Sequence, residues 1–495
     1  MAKKEPLFEL IKSLSQNEKR YFKQFSKLQK DSEQNGYVKL FNAIEHQEVY
    51  SEEKLQQITS PKYFAQQKLH LYKKLMECLR LFHSLKTVDS EITSYLSDFN
   101  ILMNKSLIQQ ASKVLYKAKN LAIANERYTD TIKINKLESQ LYWTENNIPA
   151  LSNHITSYKR ETKKLVQIIE NQISFEKEYL NIINWNKKIE FIRNEQELQE
   201  LQTILNQKIF KNENTALSLS AKINFHYIKG LYYFFIGDFQ LSENHFSKQL
   251  NLLNKNDGFR KDEMFQYVKC LSNFTLLNLK LNNCDKIKLG IETLKQIKKQ
   301  NEQVQNYVAY TIYLFELMEF NAQSKYQNAT QYISKNSEWI TTIEKWFFEQ
   351  NIMDNERSYV IFQSISSFMY AGEYKKALTL MNSYLNKDKA PFKEDLYTIA
   401  IILNLFIHFE LDNKDLIEYQ LTSVERYLKS KKRMYDFEKT ILNFIQKALK
   451  SNSKQELQKE FSQLSNQLNK IKNTKFGKNV FEYFDFLVWV DEKCI

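Results

Sequence analysis

Apolar residues recur three and four positions apart along nearly the whole chain, the spacing of one face of an α-helix. Tyr21, Phe22, Phe25 and Leu28 make the first such stripe, behind Ser15-Gln-Asn-Glu18. That tetrad is a capping box, in which the hydroxyl meets a free amide of the first turn and the Glu reaches back. Tyr37, Leu40, Phe41 and Ile44 predict a second helix after Gly36, and Ser51 ahead of Glu52 and Glu53 predicts a short third, capped by the Ser. Ser60-Pro61 predicts the start of a long helix with Pro61 as its first residue and Leu69, Tyr72, Leu75, Met76, Leu79 and Phe82 on its apolar side. Farther on, Asn146-Asn-Ile-Pro149 separates two helices. Beyond it Leu165, Ile168, Gln172, Phe175, Tyr179, Ile182, Asn186 and Ile189 keep strict three–four spacing. Two readings of that stripe are open: a coiled-coil seam whose amides Gln172 and Asn186 set register, or one long helix of a larger fold. Ile169, Ile173, Leu180 and Ile183 widen it and favour the second.

Composition narrows the fold further. The 495 residues include 7 Gly and 4 Pro, where average usage supplies roughly sixty of the two together. Sandwiches, barrels and doubly wound sheets need Gly- or Pro-marked turns every dozen or so residues. The nearest glycines are Gly230 and Gly237, so neither dinucleotide nor P-loop phosphate motifs occur. The chain is predicted to be all-α.

The most informative stretch is Gly230-Leu-Tyr-Tyr233-Phe-Phe-Ile-Gly237-Asp-Phe239, followed by Ser242, Phe246 and Leu250. It resembles a tetratricopeptide repeat: Gly230 and Tyr233 match the first helix, Gly237-Asp238-Phe239 the turn, Ser242 and Phe246 the second helix. Small residues let the paired helices approach, and aromatics fill the space between pairs. The family's closing Pro is absent, with Asn254 in its place. Phe368-Met-Tyr-Ala371-Gly372-Glu-Tyr374, with Ala377, Met381 and Leu385, is a second match, and Ile365 replaces its first Gly. Leu102–Ala118 and Ser324–Ile333 are further matches, with echoes near Asn282 and Asn413. Aligning turns on Gly237, Asn282, Ser324, Gly372 and Asn413 gives intervals of 45, 42, 48 and 41 residues. The standard unit has about 34, so helices one turn longer are expected, with some nine pairs from Ile92 onward. The chain is also similar in style to bacterial helical-repeat proteins, a likeness that brings no activity with it.

Charge and candidate chemistry change this picture little. The surplus of 71 Lys+Arg over 58 Asp+Glu gives +13, which invites a nucleic-acid partner. Only 9 of the basic residues are Arg, and the excess is spread along the chain. A short helix, a turn and a basic helix within the first ninety residues fit either a helix-turn-helix or a bundle capping a solenoid. The missing Gly turn favours the cap. Cys78, Cys270, Cys284 and Cys494 form no C-x-x-C pair, so neither a disulfide framework nor zinc is expected. His46-Gln-Glu48, His408-Phe-Glu410 and Glu243-Asn-His245 echo metal or deaminase spacings without the partners those sites need. No stretch is long and apolar enough to insert in a membrane, and no secretory leader is evident, so a cytoplasmic address is expected.

The expected architecture is an all-α solenoid of antiparallel helix pairs with an N-terminal helical cap: residues 1–90 a bundle, 91–215 a divergent segment with a long helix, and 216–495 tetratricopeptide-like. The expected function is a non-catalytic protein- or peptide-binding scaffold without cofactor or metal. Its alternative is a peptide-responsive transcription regulator. The resemblance implies groove residues Asn224, Tyr227, Leu231 and Phe234 in the best repeat, and Tyr359, Phe362, Ser366 and Met369 in the next. Core packing competes with the groove for each of them. Oligomeric state is not written in the sequence.

Overall fold

Residues 5–28, 34–57, 61–83, 87–297, 301–349, 355–386 and 393–494 are described by a computed structural model, and among them every regular element is a helix. The chain divides into two compact units, Met1–Leu165 and Val166–Ile495.

Unit 1 opens with α1 (Pro6–Ser13), α2 (Gln16–Leu28), α3 (Gln34–His46), α4 (Glu52–Gln56) and α5 (Phe64–His83). They enclose a core of Ile11, Phe22, Leu40, Phe41, Ile44, Leu71 and Leu75. The Ser15–Glu18 box forms, with the Ser15 amide donating to Glu18 Oε2 at 2.8 Å and the Glu18 amide to Ser15 Oγ at 3.3 Å. Other starts differ in detail. Helix α3 begins two residues ahead of Gly36. Ser51 stands at the cap of α4 without a side-chain cap bond, and its amide donates to the Gln47 side chain instead. Pro61 opens a 3-10 turn, Pro61–Tyr63, and the α-helix starts at Phe64. Ser60 lies outside the described residues. A separate core, with Ile92, Phe99, Leu115 and Ile134, joins α6 (Val88–Asn104), α7 (Ile108–Ala124) and α8 (Tyr128–Thr144). The 41-residue α9 (Ile148–Lys188) follows and contains the boundary between the units.

Unit 2 continues with α10 (Glu195–Leu205), then alternates first and second helices. These are α11 (Leu219–Phe235) with α12 (Phe239–Lys255), and, after the short α13 (Asp257–Asp262), α14 (Met264–Lys280) with α15 (Cys284–Gln296). Next come α16 (Glu302–Ala322) with α17 (Tyr326–Glu349), α18 (Asn355–Tyr370) with α19 (Tyr374–Asn386) and α20 (Glu394–Glu410) with α21 (Lys414–Ser430). Helices α22 (Asp436–Lys450), α23 (Lys454–Lys472) and α24 (Phe486–Cys494) finish the chain. The described helices from α6 onward make eight connected pairs rather than nine, because α9 spends 41 residues on one element.

One turn geometry recurs throughout. Ser106, Glu126, Asn146, Gly237, Asn282, Ser324, Gly372, Asp412 and Lys432 all have φ between 52° and 75°. After each of them, the next amide donates back to the carbonyl five residues earlier at 2.8–3.1 Å, as in Asp238 to Tyr233 and Asn413 to His408. This is the Schellman closure, which satisfies the carbonyls a helix end leaves open. Seven of the nine use a residue other than Gly, at a cost of roughly 1–2 kcal/mol each. A chain with so few glycines therefore still turns regularly. The turn aligned on Asn413 has its left-handed residue at Asp412, one position earlier.

Gly230 shows why the pairs need small residues. A Cβ there would lie 2.7 Å from Cε2 of Phe246, and Ser242 Oγ donates to the Gly230 carbonyl at 2.7 Å. Helices α11 and α12 touch almost backbone to ring.

Candidate functional site

The first helices of unit 2 surround a cavity of about 300 Å³. Its position follows from counting back from each left-handed turn residue. Thirteen, ten, six and three residues before Gly237 stand Asn224, Tyr227, Leu231 and Phe234, on one face of α11. The last three line the cavity and Asn224 does not. The same count from Asn282 gives Lys269, Ser272 and Leu276 on α14, and from Ser324 it gives Thr311 and Leu314 on α16. All five line the cavity, with Tyr307 and Tyr310 beside them. From Gly372 only the thirteenth position, Tyr359 on α18, reaches it. The cavity thus slides one helical turn toward the helix starts as the pairs succeed one another. Sequence reasoning missed the α14 and α16 residues because their repeats are weak echoes, yet the same turn-based count applied there finds them.

Phe362, Ser366 and Met369 lie on the corresponding face of α18 but are buried, at 0%, 6% and 2% exposure. The chain itself covers them. A 3-10 turn, Gly477–Glu482, and the residues after it run along α18. The Tyr483 ring stacks on Tyr359 at 4.8 Å and meets Phe362 edge-on at 5.1 Å. Ser366 Oγ donates to the Tyr483 carbonyl at 3.5 Å, and Tyr370 Oη to the Asp485 carbonyl at 2.8 Å. Asn479 Nδ2 donates to the Ile192 carbonyl at 2.9 Å, and Lys280 pairs with Glu482.

The same segment joins a buried polar network that closes unit 2 on itself. Glu190, just past α9, receives the Lys393 ammonium and the Tyr483 hydroxyl, and its amide donates to Asp395 Oδ2 at 3.3 Å. Arg193 reaches Glu438 on α22 and lies over the Tyr435 ring at 4.5 Å. Arg433 Nη1 bridges Glu197 at 3.0 Å and Asp395 at 2.9 Å. Burial drives the Tyr483 phenol well above its ordinary range, with Glu190 adding to the effect.

Most of the candidate chemical residues are absorbed into packing, whereas His46 and Glu48 are exposed. His226 and His245, on α11 and α12, face each other with Nδ1 atoms 2.9 Å apart, and His226 Nε2 lies 3.4 Å from Glu213. Burial lowers their pKa values to about 4 and about 3, and Lys229 and Lys248 reinforce this. Glu243 pairs with Lys286 at 2.7 Å. His408 Nδ1 meets Asn413 Nδ2 at 3.0 Å, Glu410 takes the Trp489 indole at 2.7 Å, and His46 bonds the Asn42 carbonyl at 2.6 Å. No group of three or more metal-ligating side chains occurs among the described residues. No described helix is long and apolar enough to cross a membrane.

Set against protein-family models and curated proteins, the chain matches none of them.

Proposed function

We propose that the chain is a non-catalytic scaffold of the cytoplasm that binds a protein or peptide along the first helices of unit 2. One observation carries this reading: equivalent positions on α11, α14, α16 and α18 converge on a single cavity. A series of first helices sharing one recessed face is the surface on which helical-repeat proteins lay extended ligands. Tyr227, Leu231, Phe234 and Tyr359 supply anchors that are apolar in body and, for the tyrosines, polar at the tip. Engagement of His226, His245 and His408 in packing fits a binding role, and four free cysteines spread along the chain suit a reducing compartment.

The test is affinity capture with the full chain from its native cytoplasm, beside the Tyr227→Ala/Tyr359→Ala variant. A stoichiometric protein recovered by the first and lost by the second, with the variant still melting cooperatively, supports the reading. Recovery of the same protein by both removes the cavity from it. Salt-sensitive retention on duplex DNA, abolished by Lys→Gln changes in the N-terminal bundle, would move the assignment to the regulator.

A further inference from the structure

The cavity of unit 2 has a chemical polarity of its own. Leu231, Phe234, Leu276 and Leu314 make much of its wall, and three charged side chains border it: Glu190, Lys187 and Lys269. Glu190 is buried and neutralised, since the Lys393 ammonium and the Tyr483 hydroxyl both sit on its carboxylate. The two cations differ from it. Lys187, on the last turn of α9, is exposed, and Lys269 on α14 lies 5.1 Å over the Phe265 ring. Neither forms an ion pair among the described residues. Two uncompensated positive charges among the residues that line an aromatic and aliphatic recess favour a negative ligand over a positive one. Ser272 and Thr311 also line the wall, the Ser272 hydroxyl donating to the Val268 carbonyl at 2.8 Å.

Size limits the ligand. A volume of about 300 Å³ is at the small end of ligand sites and suits a small molecule. We propose that this cavity binds a small amphiphilic carboxylate, its aliphatic or aromatic body among Leu231, Phe234, Leu276 and Leu314 and its charge at Lys187 and Lys269. This ligand shares Leu231 and Phe234 with the scaffold reading, but the titration below needs no protein partner, so it and the capture experiment above fail independently.

The probes are decanoate, the uncharged 1-decanol and the cationic decylammonium, titrated calorimetrically into the full chain. Decanoate binds saturably at one site, about tenfold or more tighter than either analogue. Lys187→Gln with Lys269→Gln lowers decanoate affinity roughly tenfold and leaves decanol unchanged, as expected when only the charge term is removed. Both lysines reach solvent, so this variant keeps its thermal melt. Leu276→Trp, which fills the recess, abolishes decanoate binding. Absence of saturable decanoate binding, equal affinity for decanol, or an unchanged affinity in the double-lysine variant overturns the proposal.

Discussion

Arg193 Nη2 lies 2.8 and 2.9 Å from the two carboxylate oxygens of Glu438, although 245 residues separate the two in the chain. Their side chains are 3% and 0% exposed. The pair fastens the segment after α9 to α22, so the first and last parts of unit 2 hold each other.

A buried pair of this kind adds little net stability over apolar side chains of similar volume, but losing one partner strands a charge. Arg193→Met is therefore expected to destabilise unit 2 by about 3–5 kcal/mol. Arg193→Met with Glu438→Leu should recover most of that. Urea unfolding of the single and double variants measures both, and a double variant as weak as the single would assign the loss to packing with Tyr435.

Two glycines separate crowding from backbone strain. Gly230→Ala forces a Cβ against the Phe246 ring and should cost about 1–3 kcal/mol. At Gly372, with φ +75°, an added Cβ meets open space. There Ala is expected to cost about 1 kcal/mol, and Asn, which tolerates the left-handed region, less. Thermal melts of the three variants order these effects.

The His226–His245 pair predicts acid sensitivity. Both folded-state values lie below the ordinary 6.5, so between about pH 6.5 and 4 the unfolded chain binds protons that the folded one refuses. Their contribution is complete above pH 6.5 and is lost as pH falls from there. Replacing both by Phe should reduce the stability lost between pH 7 and pH 5 by about 3–4 kcal/mol relative to the parent, less where solvent screens the partly exposed His245. Denaturant midpoints at the two pH values give this difference, and parallel midpoints would remove the pair from the acid response.

Tyr483→Phe keeps the stack on Tyr359 and removes the hydroxyl from buried Glu190. The expected cost is about 1–3 kcal/mol, that of an under-satisfied buried acceptor. Tyr483→Ala should cost about 3–5 kcal/mol by also emptying the space against Phe362. If the two variants unfold alike, the hydroxyl rather than the ring holds the C-terminal segment in place.

Helical class, repeat and approximate turn positions are fixed by local rules, and so were legible in one dimension. Scarce Gly and Pro remove the sheets, three–four spacing names the faces, and Gly237 and Gly372 mark turns because left-handed backbone favours Gly. The equivalent turns at Glu126 and Lys432 were invisible, since a well-packed helix pair tolerates roughly 1–2 kcal/mol of strain in a residue with no turn signature. The faces of α11 and α18 read identically in sequence, yet α11 borders a cavity and α18 lies mostly beneath residues 477–485. Only the path of the chain end decided that. Arg193, Glu438 and Glu190 are residue types that solvent normally claims. Their burial depends on distant segments arriving together, a relation carried by tertiary packing and by no pattern of neighbours.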